Sequence, residues 1–216
     1  MARSAGPAGE HHAADPADGA GRPRAGGRPR DAALDEAIIL ATRERLVRDG
    51  YSRMTIGDIV ADAGVTRPTL YRRWKNKLDL VVDALDYGFR KQADMYTVDL
   101  GELDGREALI EAVRRVNPAY YNPDAMVLMG NFAGEAARTP ELLSVLRAHA
   151  VEPRVALVER TLAQLQEAGA VRAGLDVRTI ATLCFGSYFA AFYRGEDDKQ
   201  IPEHVVAVLW PAIAVA

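Results

Sequence analysis

From Asp31 onward the apolar side chains recur at helical spacing. Leu34, Ile38, Ala41 and, after a shift, Leu46 fall near one face, and Gly50 supplies a stop. Thr55-Ile56-Gly57-Asp58 has the form of a capping box with Asp in place of Glu. It opens a short helix through Ile59, Val60 and Ala63 that Gly64 ends. Thr66 suits an N-cap and Pro68 a first turn, so a third helix is expected through Thr69, Leu70, Tyr71 and Arg72. A longer helix starts near Lys77, with Leu80, Val81, Ala84, Leu85 and Gly88 facing inward. Beyond Leu100 the pattern predicts helices over 104–117, 123–137, 139–150, 153–168, 176–194 and 202–214, separated by prolines and glycines. No stretch alternates as a strand would. The expected fold is all-α, with about nine to ten helices.

Residues 1–30 carry almost no large apolar side chain and cannot offset the entropy of ordering, so they are expected to form a disordered arm. The remainder divides into a helix-turn-helix region at 31–76 and a helical regulatory region at 77–216. The net charge of −3 excludes a uniformly basic coat but not a local basic face. One cysteine, Cys184, allows no internal disulfide. The N-terminus lacks an apolar signal core. The longest uncharged stretch, Thr179 to Tyr193, is shorter than the roughly 20 residues that span a bilayer. A soluble cytoplasmic chain without membrane attachment is expected.

The informative block is Gly50 to Leu80. It reads as two short helices joined by a turn at Ala63-Gly64-Val65, where Gly64 permits a left-handed backbone. Ile59 and Val65 would pack beneath Leu70. The second helix would then project Arg67, Thr69, Tyr71, Arg72 and Arg73. Between Gly64 and Lys77 there are several cations and no acid. This is the composition expected of a recognition helix that sets its N-terminal residues against base edges in a major groove. Trp74 reads as a wedge between the two regions.

At Gly50-Tyr51, Thr55, Ile59, Ala63-Gly64-Val65, Thr69-Leu70-Tyr71, Lys77 and Leu80 the chain resembles the TetR family of bacterial regulators. The likeness is close over about a quarter of the chain. It implies a dimeric, ligand-responsive transcriptional regulator on a palindromic operator, a repressor rather than an activator, with no cofactor. Position by position it implies that Thr55 and Lys77 hold phosphates, that Tyr71 meets a phosphate or a thymine methyl, and that Arg67 and Thr69 face bases. Arg72 would reach a base or the backbone, and Thr66 heads the same helix. Arg28 and Arg30, in a repeated Gly-Arg-Pro-Arg, either enter a minor groove or belong to a solubilising leader. Arg43 and Arg45 depart from the family's apolar pattern in the first helix. Either that helix is rotated or the two arginines snorkel along its edge.

In the second region Val155, Val158, Leu162 and Leu165 are spaced as a helix–helix seam. Ile180 to Tyr193 is apolar nearly all round, as a helix covered on every side would be. The resemblance makes these two helices a dimer interface, with Phe185 and Phe189 in it; an internal core is the alternative. Tyr120, Met126, Met129, Phe132, Tyr188 and Phe189 are candidates to line a cavity for an effector of unspecified chemistry, or else core. Asn131 and Glu135 are polar positions on an otherwise apolar helix. No metal-ligand spacing, phosphate loop or nucleophile motif is present, and Cys184 lies in an apolar context, so an enzyme is not expected. The remaining alternative is a helical interaction module that does not bind DNA.

Overall fold

The computed structural model describes residues 32–215, and Arg28 and Arg30 lie outside them. Helix α1 (Ala32–Arg48) ends at Gly50, whose φ of +72° turns the chain into the single turn α2 (Gly50–Arg53). Then come α3 (Ile56–Asp62) and α4 (Arg67–Tyr71), followed by α5 (Lys77–Ala93). The buried side of α5, with Leu80, Val81, Ala84 and Leu85, packs along α1.

The two arginines that break the pattern of α1 behave differently. Arg45 reaches across to α3 and pairs with both carboxylate oxygens of Asp62. Arg43 does not snorkel; it is buried and donates to the carbonyl of Ala84 at 2.6 Å. Gly88 makes this possible, because a Cβ there would lie 2.4 Å from the Arg43 guanidinium.

A 3-10 turn (Leu100–Glu102) leads into α6 (Gly105–Arg115), α7 (Ala125–Glu135), α8 (Pro140–Leu146), α9 (Glu152–Glu167), α10 (Val177–Arg194) and α11 (Ile201–Ile213). The sequence predicts a break between α8 and α9. Instead the two run on through a π-helical turn at Arg147–Val151. Pro153 has no N–H to give to the preceding turn, and a widened turn absorbs the mismatch without ending the rod.

The apolar core is one continuous cluster from Ile38 to Ile213, and α5 contributes to it on the α1 side. Helix α9 packs against both α6 and α10, and α11 against α6. The end of α11 is pinned by Arg172 N–H to the Ile213 carbonyl (2.8 Å) and Val215 N–H to the Ala170 carbonyl (3.0 Å). Among the described residues no helix is long and apolar enough to cross a membrane.

Candidate nucleic-acid interface

The site is built from α3, α4 and the turn between them. Thr55 caps α3: its hydroxyl accepts from Asp58 N–H at 3.2 Å, while the Asp58 carboxylate accepts from Thr55 N–H at 3.1 Å. The capping box is therefore formed with Asp at its third position, and each side chain satisfies a donor that the helix start leaves open. The Thr55 hydroxyl also donates to Asp58 at 2.7 Å, which holds that carboxyl below the usual carboxylate range. Gly64 turns the chain with φ +64°, and Val65 N–H closes the turn on the Val60 carbonyl at 2.9 Å.

Thr66 caps α4, its hydroxyl accepting from Thr69 N–H. Pro68 occupies the first turn, where its missing N–H leaves nothing unpaired. Leu70 is fully buried on Ile59 and its neighbours, which fixes which side of this five-residue helix faces out. Thr66, Arg67, Tyr71 and Arg72 are exposed, and Thr69 is half-buried beside them. Tyr71 is 51% exposed, a large aromatic ring presented to solvent on a cationic surface. The Arg67 guanidinium lies over the first turn of α3, in space that Gly57 leaves open. Arg72 donates to the Thr69 hydroxyl at 3.3 Å.

Three neighbours serve the frame instead. Arg73 is drawn back to Asp35 of α1 and to the Thr69 carbonyl. Trp74 is buried, as expected of a wedge, with its indole N–H on Asp83 at 2.7 Å. Lys77 is also tied into the frame. Its ammonium donates to the carbonyls of Tyr51 (2.8 Å) and Met54 (3.1 Å), 4.0 Å from the Tyr51 ring centre. The short α2 leaves those carbonyls without helical partners, and Lys77 supplies the donor. Burial holds its pKa below the ordinary lysine value.

The other candidate residues are redistributed. Val155, Val158, Leu162 and Leu165 are buried inside this one chain, as is Phe185, so the seam is spent on α6 and α10 rather than left for a second copy. Spacing alone does not tell which helix fills a seam. Phe189 is half-buried, edge-on to Phe185 at 5.1 Å. What α10 and α11 leave outward is another set: Leu183, Gly186, Ala190, Tyr193 and Val208.

The six candidate cavity residues do not share a cavity either. Met126 and Tyr188 line an open cleft of about 400 Å³, and Met129 lines a separate small void. Phe132 is fully buried core, and Tyr120 stacks edge-on with Tyr96. Asn131 and Glu135 turn out to hold α1 and α2. Asn131 donates to the Leu46 and Val47 carbonyls, both at 3.0 Å, and Glu135 accepts from Ser52. Their isolation on an apolar helix was the only signal in the sequence; the backbone groups they reach left none.

A short exposed cationic helix on a helix-turn-helix frame, carried by a bundle of longer helices, defines a helix-turn-helix regulator class. Residues 38–84 match the family described as bacterial regulatory proteins, tetR family, and residues 99–209 match the tetracyclin repressor-like C-terminal domain. The chain belongs to the TetR family.

An HTH-type transcriptional regulator of Mycobacterium bovis is 32% identical over 138 residues, which is 63% of this chain. The match covers 65% of that relative, a little under two thirds of its length. Another from Mycobacterium tuberculosis is 30% identical over 148 residues, 68% of this chain and 73% of that protein. Among solved structures, a TetR-family regulator from Mesorhizobium loti superposes with a TM-score of 0.69 at 20% identity, covering 87% of this chain and 100% of that one. A transcriptional regulator from Saccharomonospora viridis, solved with choline, gives 0.63 at 20% identity over 86% and 100%. These likenesses establish a shared fold.

Proposed function

We propose that this protein is a cytoplasmic, homodimeric DNA-binding transcriptional repressor that a small molecule releases from a palindromic operator. The observation that carries this reading is the outward set Arg67, Thr69, Tyr71 and Arg72, held on a helix whose other side is locked by Leu70. Arg67 and Thr69 read base edges at the leading end of α4. Tyr71 packs on a thymine methyl or a phosphate, and Arg72 reaches the backbone or a base. Thr55 and Thr66, at the heads of α3 and α4, approach phosphates from their exposed helix starts. Arg28 and Arg30 extend the contact into the adjacent minor groove.

A five-residue reading helix spans too few bases to specify a site, so two copies are needed, with half-sites about one helical turn (~34 Å) or more apart. The exposed stripe of Leu183, Gly186, Ala190, Tyr193 and Val208 is the pairing face, in place of the buried seam of α9. Release follows if an effector shifts α7, because Asn131 and Glu135 tie that helix to α1 and α2.

Selection of bound DNA from a random duplex pool by the full chain tests the reading. A two-fold symmetric sequence is expected. Recovery of no sequence, or of an asymmetric one, overturns it.

A further inference from the structure

Among the described residues two arginines are buried in one place with no carboxylate acting on either. Arg43, on α1, is 8% exposed and Arg154, on α9, is 7% exposed. Arg43 donates to the Ala84 carbonyl. Arg154 donates to the Ala150 carbonyl at 2.6 Å and to Gln92 Oε1 at 2.9 Å, and stacks over Phe89. Among the described residues its Nε has no hydrogen-bond partner. Among the described residues the ionisable groups acting on them are Tyr121 and Tyr87 for Arg43, and Tyr96 and Arg43 itself for Arg154. Burial pushes Arg154 down to about 10, and the charge of Arg43 adds to the shift. A desolvated cation without a counter-ion is costly, and a second cation beside it raises that cost.

Both side chains line one small, partly open pocket, with Leu85, Tyr121 and Met129 among its walls. Its volume of about 20 Å³ holds one water. Arg43, Tyr121 and Asn122 also line an adjoining open cleft of about 320 Å³, whose other walls include Leu40 and Val47. Glu44 and Asp124 also line that cleft and repel an anionic group there, which leaves the arginine end as the place for it.

We propose that this is a binding site for a small organic monocarboxylate, its carboxylate between Arg43 and Arg154 and its apolar body along Leu40 and Val47. The guanidiniums supply paired donors that a carboxylate accepts in its own plane. A carboxylate is larger than the water-sized void, so its arrival separates α1 from α9. Only this last consequence, a movement of α1 that alters DNA binding, rests on the repressor reading; the binding itself does not.

Calorimetry and melting curves of the full chain test it, with octanoate and benzoate as probes and octanamide and benzamide as their neutral counterparts. At least one carboxylate is expected to bind at least about tenfold more tightly than its amide and to raise the melting temperature. Arg43→Met and Arg154→Met should each abolish that preference. The comparison within the wild-type protein decides the matter even if a variant fails to fold. Equal affinity for acid and amide, no binding by either acid at about 10 mM, or an unchanged preference in both folded variants overturns the site. A gel shift on selected DNA without carboxylate is read separately: its failure sinks the repressor reading and leaves the carboxylate site standing.

Discussion

Glu135 on α7 accepts two hydrogen bonds from Ser52 on α2, one from the backbone N–H at 2.8 Å and one from the hydroxyl at 2.6 Å. One turn earlier on the same helix, Asn131 caps the carbonyls that end α1. Gly50 lies directly beneath this clamp. Its φ is +72°, and a Cβ on it would come within 2.5 Å of Glu135 Oε1. Gly50→Ala therefore meets both backbone strain and a carboxylate oxygen. It should lower stability by about 1–3 kcal/mol. Urea unfolding measures this, and an unchanged midpoint would show that the clamp yields without cost.

Tyr71 is 51% exposed and lies outside the buried core cluster, so its truncation tests the DNA face. Tyr71→Ala should weaken binding to the selected DNA by roughly 1–3 kcal/mol and leave the melting temperature where it was. Fluorescence anisotropy alongside a melt gives both numbers. Unchanged affinity would remove α4 from the groove.

Lys77 yields the opposite pair of outcomes. Replacing it with methionine keeps the stem but leaves the Tyr51 and Met54 carbonyls without their donor. Lys77→Met should cost about 1–3 kcal/mol of stability. The salt dependence of DNA binding should not change. Had the ammonium held a phosphate, the slope would instead fall by about 1.

These contrasts mark how far the sequence carried. Helix positions were legible because caps and breakers act locally: Thr55 with Asp58, Thr66 with Pro68, Gly64 and Gly195 all mark ends that the structure keeps. The outward face of α4 was legible because Leu70 is the lone large aliphatic residue among charged and hydroxyl neighbours. What the sequence left out was the partner that several side chains meet across the fold. The seam of α9 is filled by its own chain, and Lys77 meets carbonyls that a one-turn helix leaves open. The arginines of α1 depend on a glycine 45 positions away in one case (Gly88) and on Asp62 in the other. Such partners are set by tertiary packing, and a single chain read along its length holds no record of them.

Acid should loosen the corner where α1 meets α3. The Arg45 guanidinium holds Asp62 below its ordinary value of 3.8, and Thr55 does the same for Asp58. Because both carboxyls are more acidic when folded, their contribution is present above that ordinary value. It is lost as pH falls through the lower folded values. Melting temperature should drop from about pH 4 downward, and Asp62→Asn should flatten that drop. Parallel profiles for the two proteins would mean that the ion pair contributes nothing.

Cys184 separates the fold of one chain from its assembly with another. It is fully buried on the inner side of α10, next to Leu183, which is 57% exposed on the outer side. Burial pushes its thiol up to about 12. At pH 8 only about one molecule in ten thousand would carry the reactive thiolate even if reagent arrived. Labelling by an aromatic disulfide reagent should therefore proceed in native buffer no faster than the protein unfolds, and at once in concentrated guanidinium. Dilution that separates a dimer paired through Leu183, Gly186 and Val208 uncovers the other side of α10 and should leave the labelling rate unchanged. A rate that climbs on dilution would mean that the inner packing of α10 itself needs the second copy, and the single-chain core around Cys184 would have to be redrawn.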